Sequence, residues 1–156
     1  MSEIVVEVTR GALAENLLRG NITVLGPGGQ LLAWVGDPDY VSYMRSAAKP
    51  LQASAAVEAG AVSFYSFSQE ELAVMCGSHI GADYHVQAVE SILSKIGLTE
   101  EDLTLGPDLS LSKALREQRL AEQVQPRKIF NNCSGKHSCM LALCQYYGYD
   151  HTAYQK

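Results

Sequence analysis

Apolar, β-branched residues gather in three short runs near the start of the chain, Val5 to Val8, Ile22 to Leu25 and Leu31 to Val35. Runs of that length and composition predict strands. Gly26-Pro27-Gly28-Gly29 separates the last two, so they are expected to pair as a hairpin and the chain to open with antiparallel sheet. No Gly-Lys-Ser/Thr follows these glycines, and the loop reads as a turn rather than a phosphate cradle. Farther on, the apolar period lengthens to that of a helix. Pro50 to Ala59, stopped by Gly60, predicts one helix, and Ser68-Gln69-Glu70-Glu71 spells a capping box that opens another through Cys76. Tyr84 to Ile96 places Val86, Val89, Leu93 and Ile96 on one stripe ahead of Gly97. Leu111 to Gln123 predicts a charged, mostly exposed helix, and Gly135 to Tyr147 a last one carrying Met140, Leu141, Leu143 and Cys144. No internal repeat or low-complexity linker interrupts the pattern, which describes an α/β domain.

Composition narrows the function classes. At 156 residues and 47% hydrophobic content the chain is one domain's worth and can bury a core. A net charge of −5, with no basic run interleaved with aromatics, argues against nucleic acid and anionic membrane as partners. No apolar run approaches the roughly 18 residues of a membrane span, and the opening Met1-Ser2-Glu3-Ile4 lacks the pattern of a secretory signal, so a cytoplasmic protein is expected. The four cysteines, at 76, 133, 139 and 144, form no C-x-x-C pair and are expected to be free thiols.

The chemistry concentrates in two segments. In Arg45-Ser46-Ala47-Ala48-Lys49-Pro50 a serine stands three residues before a lysine. A serine hydroxyl needs a base to become a nucleophile, and a lysine can be that base where burial or neighbouring positive charge makes its neutral form accessible. If a helix begins near Ser46, the pair shares a face and the positive end of the helix dipole favours both alkoxide and neutral amine. Pro50 is tolerated in a first turn, although a residue before proline is pushed away from the α region, so the turn holding Lys49 is expected to be distorted. Ser110-Leu111-Ser112-Lys113 repeats the spacing in a charged context and reads as structural. Arg45 is placed to grip a carboxylate or to make a surface ion pair. The second segment, Asn131-Asn132-Cys133-Ser134-Gly135-Lys136-His137, packs a thiol, an amine and an imidazole at a helix start, where His137 could orient a substrate or a metal. His79 and His85, six apart, read as packing histidines, and Cys76 as packing also.

Residues 45 to 53, RSAAKPLQA, together with NNCSGKH at 131 to 137 and CGSHIG at 76 to 81, resemble the bacterial L-asparaginase II family of Rhizobium-type asparaginases. Val6 to Gly11 and Leu31 to Asp37 resemble its opening strands. The resemblance implies a serine β-lactamase-like fold, with an antiparallel sheet and a helical portion, and hydrolysis of L-asparagine to L-aspartate and ammonia. Residues 1–156 would be a single N-terminal portion of such a domain, truncated to its first half. It makes Ser46 the nucleophile, Lys49 its base, and Ser78 a second serine whose usual lysine partner belongs to the later half. It also implies a zinc site holding Cys133 and Lys136, with a further cysteine beyond this chain. Arg45 and His137 become candidate substrate-binding residues. Half a core leaves apolar surface, so a homodimer or other homo-oligomer is expected, and weak activity from these residues alone.

The chain departs from the family pattern in places. Glu15-Asn16-Leu17-Leu18-Arg19-Gly20 stands where many members read E-S-x-H-R-G, Leu105-Gly106-Pro107-Asp108 where they read C-G-P-H, and Cys139 where a small residue is usual. Two other readings stay open at this point: a Ser-Lys acylase of the penicillin-recognising type, and a chain that folds, or pairs with its other half, without turnover.

Overall fold

The computed structural model describes residues 1–155, which fall into two compact units, Met1 to Tyr43 and Met44 onward. The first is all strand and turn. β1 (Glu3–Arg10) pairs antiparallel with β2 (Leu13–Gly20), and β3 (Ile22–Leu25) with β4 (Leu31–Val35). The expected hairpin is present, with Ile22 opposite Val35 and Val24 opposite Ala33, and with Gly26 N–H donating to the Gln30 carbonyl at 2.8 Å. β2 was not expected as a strand. It forms because Gly11, at φ +61°, lets a two-residue loop reverse the chain straight after β1.

Within this unit no residue is buried. Val6 faces Leu18 across the β1–β2 ladder, yet the two remain 47% and 52% exposed, and Trp34 on β4 is 56% exposed. Isolated two-stranded ladders are marginal in water, and apolar strands with open edges seek further strands or a covering face.

The second unit is helical. A 3₁₀ turn over Arg45–Ala48 runs into α1 (Lys49–Glu58), followed by α2 (Ala61–Phe64), α3 (Gln69–Cys76), α4 (Asp83–Lys95), α5 (Lys113–Ala121) and α6 (Ser134–Tyr147). The capping box is formed as expected: Glu71 N–H donates to Ser68 Oγ at 3.2 Å, and Ser68 N–H to the Glu71 carboxylate at 2.6 Å. That buried carboxylate also accepts from Lys95 Nζ at 2.7 Å, which ties α3 to α4. The stripe Val86, Val89, Leu93 and Ile96 is buried, joined by Ile92. α6 contacts α1, α3 and α4, and its first turns bury Ser134, Gly135, His137, Ser138, Cys139, Leu141 and Ala142 on every side. A helix buried all round is the centre of its bundle. Gly135 makes this possible, because a Cβ there would overlap the Val74 carbonyl of α3. α5 is shorter than expected and mostly exposed, but it buries Arg119. No helix among the described residues is long and apolar enough to cross a membrane.

The exposed strands generate a prediction. Light scattering of the 16.9 kDa chain should show concentration-dependent self-association, and Val6→Lys should shift the average mass toward the monomer. A wild-type chain that stays monomeric at all concentrations would mean that the strands need no cover.

Candidate functional site

The Ser46 site is assembled by three segments of the helical unit. The first is the turn before α1. Arg45 sits at φ +49°, in the left-handed region that a residue with a Cβ rarely enters, and Ser46 follows it on the exposed 3₁₀ turn. Lys49 opens α1 in ordinary helical geometry, φ −59° and ψ −42°, although Pro50 follows. The distortion expected at Lys49 is therefore absent, and the irregular geometry lies ahead of it in the 3₁₀ turn. The turn leaves Ser46 in solvent and sends Lys49 inward, where it is 3% exposed.

The second segment is the Gly77-Ser78-His79 turn after α3, and the third is Asn131-Asn132-Cys133 before α6. Lys49 Nζ donates to the Ser78 hydroxyl at 3.0 Å, to the Gly77 carbonyl at 3.1 Å and to the Asn132 carbonyl at 3.2 Å. Ser78 Oγ in turn donates to Ser46 Oγ at 3.0 Å. The structure thus brings Ser46, Ser78 and Lys49 together, in that order. Each proton donor of the Lys49 ammonium has an acceptor, and none of the three is Ser46. Pairing of Ser78 with Lys49 is the feature that spacing does not reveal, since the resemblance directed Ser78 toward a different lysine.

An open pocket of about 290 Å³ exposes this chemistry, lined by Arg45, Ser46, Lys49, Gln52, Cys133 and Lys136. Both residues singled out for zinc therefore share a pocket with the nucleophile candidate. Among the described residues no three His, Cys, Asp or Glu side chains cluster as a metal site. His137 does not line the pocket; it is buried, with Nδ1 2.7 Å from the Tyr154 hydroxyl and 3.2 Å from Gln155 Nε2. Tyr154 also accepts from the Thr104 N–H at 2.9 Å. Burial, followed by the charges of Lys136 and Lys49, lowers the His137 pKa to about 4 and keeps the ring neutral.

The remaining candidates are structural. Ser110 is fully buried and donates to the Ile80 carbonyl at 2.5 Å, while Lys113 reaches only Glu117 at the surface, 3.8 Å away. Cys139 is buried in the core, and burial, with Cys76 nearby, pushes its thiol up to about 12. His79 is buried and stacks on His85, as packing histidines do. A larger groove of about 520 Å³ between α4 and α5, lined in part by Arg119, Arg127 and Phe130, holds no nucleophile and lies apart from this chemistry.

The family model for L-asparaginase II matches residues 6–156. The chain belongs to that family. A comparison with curated proteins gives no match.

The histidine beside Ser78 generates a prediction. Burial, then the neighbouring His85 and Lys49, lower the His79 pKa from 6.5 to about 4. The unfolded chain therefore takes up a proton at this position before the folded one does. Stability that is complete above pH 6.5 should fall as pH drops toward about 4. Urea midpoints at pH 7.5, 6 and 5 should decline in wild type and decline less in His79→Gln. A flat wild-type series would show that His79 titrates like an exposed imidazole.

Proposed function

We propose that this member of the L-asparaginase II family hydrolyses the side-chain amide of L-asparagine to L-aspartate and ammonia through an acyl-enzyme on Ser46. The observation that supports the reading best is the unbroken chain Ser46 Oγ, Ser78 Oγ, Lys49 Nζ, with 3.0 Å at each link. When Lys49 gives up one proton, its two remaining N–H groups match the Gly77 and Asn132 carbonyls, and its lone pair is left facing Ser78. The Ser78 hydroxyl then rotates to donate to Lys49 and accept from Ser46. As Ser46 Oγ attacks the amide carbon, its proton passes to Ser78 and the Ser78 proton to Lys49. Lys49 then returns the proton to Ser78 as the Ser78 hydroxyl proton passes to departing ammonia, and the same pair takes a proton from the water that cleaves the acyl-enzyme and hands it to Ser46 as the ester bond breaks. Lys49 is thus the base for Ser46 by way of Ser78.

Arg45, exposed on the rim of the pocket, is suited to a bidentate pair with the α-carboxylate of the substrate. His137, behind the pocket, steadies the start of α6 rather than touching substrate. Cys133 and Lys136 would hold zinc: a thiolate is a usual zinc donor, a lysine amine serves once its proton is lost, and both residues face the same pocket. Bound there, zinc would supply a Lewis acid near the substrate. Two ligands leave it open, so further ligands must come from outside the described cluster. The fold we assign is serine β-lactamase-like, supported by antiparallel strands and a Ser-x-x-Lys turn at a helix start. Four free cysteines suit a reducing compartment and a cytoplasmic location. Association into a homodimer or other homo-oligomer is supported by the uncovered strands.

Ser46→Ala should abolish ammonia release from asparagine in any active form of the protein, while Lys49→Met should lower it by about 10²- to 10⁴-fold, the usual range for general base assistance. Ser78→Ala should fall into the same range, because it cuts the relay, and Lys113→Ala should leave the rate unchanged. Ammonia release at the wild-type rate from Ser46→Ala sinks the assignment, and hydrolysis of nitrocefin in preference to asparagine redirects it to another acylase.

The zinc assignment has its own check. Elemental analysis of the purified protein should find zinc that is lost in Cys133→Ser, and metal content unchanged by that substitution would place the ligands elsewhere.

A further inference from the structure

His79 follows Ser78 directly, is 5% exposed, and is not among the residues lining the pocket of Ser46. Its hydrogen bonds fix its tautomer. Nδ1 accepts from the Gly81 N–H at 3.0 Å. Ser134 Oγ directs its single proton to the Ile129 carbonyl at 2.9 Å, so in its 2.9 Å contact with His79 Nε2 the serine accepts and the ring nitrogen donates. Only the neutral ring with hydrogen on Nε2 satisfies both ends. The His79 main-chain N–H adds a third bond, to the Asn132 carbonyl at 3.3 Å.

That carbonyl also accepts from Lys49 Nζ. His79 therefore joins the turn that supplies Gly77 O and Ser78 Oγ to the segment that supplies Asn132 O, and these are the three acceptors of Lys49. The far end of the turn is pinned independently. Ser110 Oγ holds the Ile80 carbonyl at 2.5 Å, and Arg119 holds the Gly81 carbonyl at 2.5 Å while its guanidinium lies 3.8 Å from the Phe130 ring centre. Besides Lys49 and Arg119, the side chain of His79 itself connects this turn to residues 129–134, through Ser134.

We propose that His79 is a positioning residue for the Ser46–Ser78–Lys49 chain: its ring clamps the Ser78 turn to the Asn132 segment and so sets the triangle of acceptors around Lys49 Nζ. The kinetic consequence rests on the reading of Ser46 as nucleophile; the clamp itself does not. A displacement of about 1 Å in such an arrangement costs on the order of 10²-fold in rate. Asparagine keeps an acceptor near the Nδ1 position but is too short to reach Ser134, whereas glutamine can present an N–H where Nε2 stood.

The test compares wild type, His79→Asn, His79→Gln and Ser46→Ala of this chain, with every rate expressed per folded molecule. Amide exchange is followed by NMR, labelling of Ser46 by a fluorophosphonate probe, and asparagine hydrolysis by kcat and KM. In His79→Asn the amide of residue 79, which joins the turn to Asn132, should exchange at least about tenfold faster while those of α4 are unchanged, as expected for a local loss of buried hydrogen bonds. Labelling and kcat should drop by about 10- to 100-fold with KM within about threefold, and His79→Gln should recover most of both. Wild-type exchange at residue 79 in His79→Asn overturns the clamp, and loosened exchange with wild-type labelling overturns its positioning role. Equal labelling of wild type and Ser46→Ala removes Ser46 as nucleophile, and the exchange result then decides the clamp by itself.

Discussion

Lys49 is a cation whose charged end is almost wholly withdrawn from water, and the helical unit is arranged around that fact. An ammonium in such a place must have its donors matched, or its burial costs several kcal/mol. The matching acceptors come from residues 77, 78 and 132, so one side chain on α1 fixes the end of α3 and the approach to α6 at the same time. Two of the three acceptors are main-chain carbonyls, which cannot be altered by substitution at their own positions without moving backbone. The third is a hydroxyl, the one member of the set that can either accept or donate. The position that can change its hydrogen-bond role is thus the position that leads to Ser46.

The bundle keeps these acceptors in place by close backbone approach. Gly135 lets α6 lie against the Val74 carbonyl of α3, closer than any residue with a Cβ could. The same motif that presents Cys133 and Lys136 to the pocket therefore also seats the helix that carries them. Arg119 contributes from the other side, with its guanidinium on the Phe130 ring and its donors on the carbonyls of Leu109 and Gly81. It belongs to a helix whose remaining residues are largely solvated. Removing that one charge would leave two buried carbonyls without donors, which is why it is tolerated inside a small bundle.

What could be read from the sequence was whatever depends on neighbours a few residues away. The Ser68/Glu71 capping box, the α4 stripe and the β3–β4 hairpin are local patterns, and each is found where the pattern placed it. β2 escaped notice because Leu17 and Leu18 are adjacent and break its alternation, and because its ladder with β1 slips register twice, between Ile4 and Val6 and between Val8 and Thr9. Ser46 and Lys49 were legible as a pair, but their connection was not. It runs through Ser78, which is 29 residues from Lys49, and its geometry is held by a carbonyl 83 residues away. Backbone acceptors carry no side-chain signature, so no spacing rule could have found Gly77 O or Asn132 O. The buried Arg119 was hidden for the same reason.

The turn that carries Ser46 completes the physical picture. A left-handed Arg45 is a conformation that costs on the order of 1 kcal/mol or more, and such residues persist where the surroundings determine them. Here the buried anchor of Lys49 is four residues downstream, and it fixes the start of α1 independently of what precedes it. The strain therefore falls on the exposed side of the turn, where Ser46 stands in the pocket beside Cys133 and Lys136 while Lys49, on the floor of the same pocket, stays buried. Ser46 and Lys49 have different surroundings although they are one helical turn apart. A direct contact between them would require either a buried serine that substrate could not reach or an exposed lysine with no fixed acceptors. In the proposed mechanism, the interposed hydroxyl of Ser78 lets a proton cross from the exposed side to the buried one without either residue giving up its surroundings.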